Sequence, residues 1–367
     1  MTEIVVVGCG IVGAMVAYEL SQKTDCRITV LDRQLPAQGS TGAALGILMG
    51  IISHKVKGRN WRLRETSIHR YATLLPELEA AVGYPIPHNP HGILNLCFSA
   101  DTLPRWESLQ ARRQRQGWSL DIWSPQQVIN ACPYLNPASV VAGIYSPQDL
   151  QIAPQALTQA LVEAAQQRGV SFHFETPVTH FRCQTEPHQG QQVLAVQTDQ
   201  AQYSADWLIL AAGLGSSPLT HELAQPLPLI PVLGQGIRVR LPQELGSSDF
   251  RPVINGDDVH LVPLGDRQYA VAATVEFPEA NDSEPLPRKA ALEQMWQTAI
   301  AYCPVLAQAD ILATWHGLRP RPQGQAAPVV QMLEGYNNVI MATGHYRNGV
   351  LLAPATAQLV EQLMQLN

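Results

Sequence analysis

"IVVVGCGIVGAMVAYELSQ" (Ile4 to Gln22) joins a β-branched run to a glycine-rich turn and then to an apolar segment with helical character. Ile4 to Val7 suits a strand buried on both faces. Gly8, Gly10 and Gly13 complete a GxGxxG pattern: the first allows a tight turn, the second lets a pyrophosphate approach the backbone, and the third lets helix and strand pack closely. A helix from Ile11 would offer its first amides and its positive end to phosphates. "RITVLDR" then reads as a second strand with Asp32 at its end, 19 residues after Gly13, where a carboxylate accepts hydrogen bonds from an adenosine ribose. An acid there, rather than an arginine, disfavours the extra phosphate of NADP. FAD and NAD remain.

Composition narrows the partners. With 367 residues, 46% of them hydrophobic, the chain can bury a large core, and the size favours two domains. A net charge of -6 argues against nucleic acid, which needs a basic face. His54, Lys55, Lys57, Arg59, Arg62, Arg64 and Arg70 form a local basic cluster, read as a solvated helix face because Glu65, Leu63, Tyr71 and Leu74 interrupt it. The six cysteines show no close pairing and no CxxC, so buried thiols are expected rather than disulfides or zinc. His88 and His91 flank Asn89-Pro90, which breaks any helix that would align them on a metal. Glu3 stands where a signal peptide would be basic, and the longest apolar run, Ala43 to Ile52, is shorter than the roughly 20 residues of a membrane span. The expectation is a soluble, cytoplasmic protein without a membrane span.

Beyond Asp32 the chain does not continue as simple β-α units. "GSTGAALGIL" (Gly39 to Leu48) is rich in small residues and able to lie against a flat ligand. Ile68, Tyr71, Leu75 and Leu78 have helical spacing. "HGILNLCFS" reads as a strand, followed by polar helices around Arg105 to Gln116 and Pro125 to Ala131, the second capped by Ser124. A helix from Pro154 stops at Gly169, and "VSFHFETPVTHF" alternates as a strand. The Gln-rich Gln184 to Gln202 reads as a solvated hairpin, and Trp207 to Ala211 as an apolar strand. Pro228 to Phe277 is strand-like with turns at Gly256-Asp257 and Gly265-Asp266. An amphipathic helix then carries Leu292, Met295, Trp296, Ala299 and Ile300.

GxGxxG with Asp32, "STGAALGI", "TPV" (176–178), "LILAAGLGS", "HGLRPRPQG" and "GHYRNGVLLAPATA" together resemble the FAD-dependent D-amino acid oxidase superfamily, and within it the glycine oxidases of thiamine biosynthesis. The resemblance runs over nearly the whole chain, and the last two motifs are the specific ones. It implies an α/β fold: a discontinuous, glutathione-reductase-like Rossmann-type FAD domain (1–85, 145–220 and 315–367), with a mostly antiparallel β-sheet substrate domain and flanking helices (86–144 and 221–314). Carried over by position, the cofactor contacts are Gly8, Gly10, Ile11, Val12, Gly13, Asp32, Arg33, Ser40, Thr41, Leu45, Gly46, Ile47, Val178 and the run Gly344, His345, Tyr346, Arg347, Asn348, Gly349, Val350 and Leu351. The turn at Gly344 to Gly349 would bring amides, and a helix beginning near Pro354, to the electron-rich edge of the flavin ring. FAD is expected to be non-covalent, since no cysteine stands in the C-terminal motifs where related enzymes attach the ring.

The resemblance implies oxidation of a small amino acid such as glycine, sarcosine or a short D-amino acid, by hydride transfer from the α-carbon to flavin N5. Oxygen or a quinone would take the electrons, and a homo-oligomer is compatible with the family. Such chemistry asks the protein mainly to position its substrate. Arg319 matches the family's carboxylate anchor and Arg347 its second substrate-contacting arginine; a guanidinium fork fits a carboxylate with two hydrogen bonds. Arg321 is expected in solvent. His345 either packs its ring or moves a proton. His260 stands where the glycine oxidases have a tyrosine, and its ring either enters the pocket, titrating with bound carboxylate near pH 6 to 7, or faces solvent. A flavin-dependent 2-hydroxy acid oxidoreductase, with His260 or His345 as base, and a non-catalytic flavin-binding assembly subunit are the alternatives.

Overall fold

The structure is a computed structural model that describes residues 1–23, 26–138, 140–186, 190–279 and 284–365. Thr2–Val7 is the centre of a six-stranded sheet whose order is Val329–Met332, Val339–Thr343, Trp207–Leu210, Thr2–Val7, Cys26–Leu31, Ser171–His173. All neighbours in it are parallel except the Val329–Met332 edge. The β-branched first run pairs on both sides, Ile4 with Ile28 and with Trp207, so it needs apolar side chains on both faces. The Ile11–Leu20 helix is buried almost all round, because it lies between this sheet and the Pro154–Gln167 and Gly349–Met364 helices.

The second sheet has eight strands in the order Asp310–Pro322, Leu229–Arg240, Gln268–Ala272, Val259–Gly265, Val253–Gly256, Ile93–Cys97, Ala142–Ser146, Asp121–Trp123. Its pairings are antiparallel except Val253–Gly256 with Ile93–Cys97. The Lys289–Tyr302 helix covers one face, burying Met295, Ala299 and Tyr302 against Ile237, Val239, Leu261 and Val271. Every strand of the six-stranded sheet falls within the segments expected for the nucleotide half, while Asp310–Pro322 and Ala142–Ser146 run across the expected boundaries.

Four expectations need correction. "VSFHFETPVTHF" is two strands in different sheets, Ser171–His173 and Val178–Glu186. Glu175 has a φ of 53° and Pro177 lacks a ladder donor, so alternation alone could not carry one strand through. The C-terminal helix starts at Gly349, and Pro354 lies inside it. Proline has no N–H for the Val350 carbonyl, and the Tyr71 hydroxyl donates to that carbonyl instead at 2.5 Å. The basic cluster is not a uniform solvated face: Arg64 is buried, Arg59 donates to the Pro328 carbonyl, and Arg70 pairs with Glu19 and Glu77. The cysteines are not all buried either, since Cys183 is exposed. The Gln-rich hairpin does form, between Val178–Glu186 and Gly190–Thr198, though its turn at 187–189 lies outside the described residues. Among the described residues no helix is long and apolar enough to cross a membrane.

Candidate active site

The two sheets enclose one long cleft of about 1420 Å³. That exceeds the roughly 300–1,000 Å³ typical of pockets for a single drug-sized ligand. In its wall the Gly8 turn packs tightly on itself. Gly8 has a φ of 105°, and a Cβ on Gly13 would stand 1.8 Å from the Gly8 carbonyl oxygen, so the helix can sit this close to the strand only without a side chain. Gly10 makes no side-chain cap for the helix; Thr41 Oγ1 accepts from Ile11 N at 3.0 Å. Asp32 accepts from Cys9 N at 2.5 Å and Gln34 N at 2.8 Å. Burial pushes its carboxyl above the ordinary value, and those two bonds oppose the rise.

All but one of the cofactor residues expected from sequence line this cleft: Gly8, Gly10, Ile11, Val12, Asp32, Arg33, Ser40, Thr41, Leu45, Gly46, Ile47, Val178 and Gly344 to Leu351. The exception is Gly13, which packs behind the turn. His345 lines the cleft, but its Nε2 is 2.8 Å from Thr356 Oγ1. The Thr356 hydroxyl in turn donates to the Leu352 carbonyl, so the imidazole donates to Thr356. Burial, with Arg59 as a lesser cause, pushes the pKa of this ring down to about 3. Of the two roles considered for it, the packed ring is the one its surroundings fit.

Arg319, Arg347 and His260 also line the cleft, close enough together that both guanidiniums act on the His260 ring. Arg319 lies across the neighbouring strand because that strand has no side chain in the way: a Cβ on Gly234 would stand 2.1 Å from its Nη2. Its Nη1 donates to the Leu233 and Thr274 carbonyls, both at 3.2 Å. Among the described residues no carboxylate pairs with it, and none accepts from its Nη2 or Nε. Gly236 and Gly317 repeat the pattern, since a Cβ on them would meet the Trp315 ring and Ala43 Cβ. This glycine-lined face was missed in the sequence, where Pro228 to Phe277 read only as strand-like. Arg347 reaches toward Asp258 at 4.0 Å, both groups well exposed, so that pair is weak. Arg321 is exposed, as expected, with its guanidinium over the Phe277 and Tyr346 rings.

His260 faces the cleft rather than solvent, is 8% exposed, and its Nδ1 has no partner. Burial first, then Arg347 and Arg319, push its pKa down to about 4, with Asp258 opposing. This replaces the expected titration near pH 6 to 7: the ring is neutral throughout that range. Because folding lowers its pKa from 6.5, its contribution to stability falls as pH drops below 6.5 and levels off below about 4. The ring resonances of His260, assigned with a His260→Tyr variant, are therefore expected to show no inflection between pH 5.5 and 8. A midpoint near 6.5 would mean that the ring is solvated.

An FAD fits these residues: side-chain-free turns lie where a long ligand must approach the backbone, and Asp32 and the Arg319 guanidinium line the same cleft. The profile of the family described as FAD dependent oxidoreductase (DAO) matches residues 3–363. The chain is 32% identical over 373 residues to the bifunctional protein ThiO/ThiG of Synechocystis sp., covering 99% of this chain and 51% of that protein. It thus spans about half the length of the bifunctional relatives it matches. It is 26% identical to the glycine oxidase of Bacillus subtilis, over 99% of this chain and 92% of that one. The crystal structure of glycine oxidase from Geobacillus kaustophilus superposes with a TM-score of 0.85 at 21% identity, covering 100% of this chain and 95% of that one, which is a likeness of fold.

Proposed function

The chain belongs to the DAO family of FAD-dependent oxidoreductases, and from that premise we propose that it oxidises a small amino acid, of the size of glycine, sarcosine or a short D-amino acid, at its α-carbon. Bound FAD supplies the two-electron acceptor for a hydride leaving that carbon. The Gly8–Gly13 turn and the first amides of the Ile11–Leu20 helix would hold its pyrophosphate, and Asp32 with Arg33 its adenosine end. Ser40, Thr41, Leu45, Gly46, Ile47, Val178 and the Gly344–Leu351 turn would hold the rest. Arg319 would grip the substrate carboxylate with its unused Nη2–Nε edge, and Arg347 would close over it. His260, neutral and shorter than a tyrosine, would leave a little more room above the carboxylate.

The observation that carries this reading is a half-buried guanidinium with no acid partner among the described residues, lining the same cleft as the dinucleotide turn. A scaffold subunit has no use for such a group, since taking an unpaired charge even partly out of water costs stability. Oxygen or a quinone as final acceptor, and a role in thiamine biosynthesis, belong to the same proposal. Anaerobic mixing of the FAD-loaded protein with glycine, sarcosine, D-alanine and the matching 2-hydroxy acids tests it. Bleaching of the flavin by the amino acids is the expected result. Bleaching by glycolate or lactate alone would favour the 2-hydroxy acid reading, in which the unpartnered His260 Nδ1 acts as base. Bleaching by neither would remove the catalytic reading.

A further inference from the structure

Arg64, on the second helical turn of Gly58–Val82, is the odd member of the basic cluster: it is only 7% exposed and its Nε has no partner. Its Nη1 donates to the Asn60 carbonyl at 3.0 Å and its Nη2 to Asn348 Oδ1 at 3.3 Å. No carboxylate pairs with it among the described residues. The acid with the strongest pull on it, Asp149, is already engaged by the amides of Gly50, Ile51 and Ile52 and by the Ser146 hydroxyl. A buried cation without a counter-charge is costly unless something electron-rich stands near it. Asn348 is the residue through which it meets the cleft: it lines the cavity, precedes the Gly349–Met364 helix, and makes no side-chain cap for that helix. The helix start and the guanidinium therefore add their positive potentials at one stretch of cleft wall.

We propose that Arg64 is a positioning residue: it fixes Asn348 at the start of the Gly349–Met364 helix and sets a permanent positive charge behind that wall, so that an electron-rich edge of the cofactor is favoured there, more so once reduced. The inference rests on the FAD reading above. Its test uses the FAD-loaded enzyme and two variants, Arg64→Gln, which keeps a donor for Asn348 without the charge, and Arg64→Lys, which keeps the charge without the fork. The readouts are the FAD dissociation constant of the apoprotein and the two-electron midpoint potential of the bound flavin. Arg64→Gln is expected to hold FAD within a few-fold of wild type yet to favour the oxidised flavin about tenfold more, a fall of roughly 30 mV for a two-electron couple. Arg64→Lys is expected to keep the wild-type potential. An unchanged potential in Arg64→Gln overturns the proposal. If Arg64→Gln does not fold, Arg64→Lys decides: an equal fall there shows that charge is not what matters. Wild-type apoprotein that takes up no FAD would instead overturn the cofactor reading itself, leaving the two failures distinct.

Discussion

Arg319→Ala is expected to lower kcat/KM for the amino acid by roughly a hundredfold or more, on the order of 3 kcal/mol, with FAD still bound and the fold intact. The guanidinium contributes no apolar core and makes only two backbone contacts, both at 3.2 Å, so removing it should leave the sheet in place. Arg319→Lys should recover only part of the loss, because an ammonium cannot form a planar fork. A subtler variant separates the anchor's chemistry from its placement. In Gly234→Ala the new Cβ would stand 2.1 Å from Nη2 of a retained arginine, and that side chain's far end can swing away. Folded protein with a KM raised about tenfold and little change in flavin affinity is expected. Wild-type kinetics in both variants would move the anchor to Arg347.

Gly13→Ala should be the more damaging change to the protein itself. Its Cβ would lie 1.8 Å from the Gly8 carbonyl oxygen, backbone that cannot rotate aside, so the helix must move off the central strand. Overpacking of this kind typically costs about 1–3 kcal/mol, and a backbone obstacle puts this case at or above the top of that range. Loss of most FAD and a clearly lowered Tm are expected. Gly39→Ala is the control, because a Cβ there would meet nothing within 4 Å although the residue lines the same cleft. A Gly13→Ala protein with wild-type Tm and full flavin would show that the contact relaxes freely.

The nucleotide half was legible because its signals are local. A β-branched run, three glycines at fixed spacing and an acid after the next strand each follow from backbone geometry within about thirty residues. The glycines of that turn were legible as glycines because steric contact inside one β-α unit demands them. Helix ends were less secure: Pro354 looked like a start, yet the helix passes through it because Tyr71, from a distant segment, satisfies the carbonyl that the proline leaves free.

By itself, then, the sequence determined the dinucleotide turn, the elements around it, and the residue types that line the cleft. Only the tertiary structure decided what those residues are in their surroundings. Arg319 lies across its neighbouring strand, with no carboxylate partner among the described residues, because Gly234, 85 positions earlier, leaves room for it. Arg64 is buried because Asn348, 284 positions later, folds over it. His260 is neutral because two guanidiniums and a closed surface surround it. Charge state and orientation are set by desolvation and by neighbours brought together across long stretches of chain, and neither is encoded in the spacing of nearby residues.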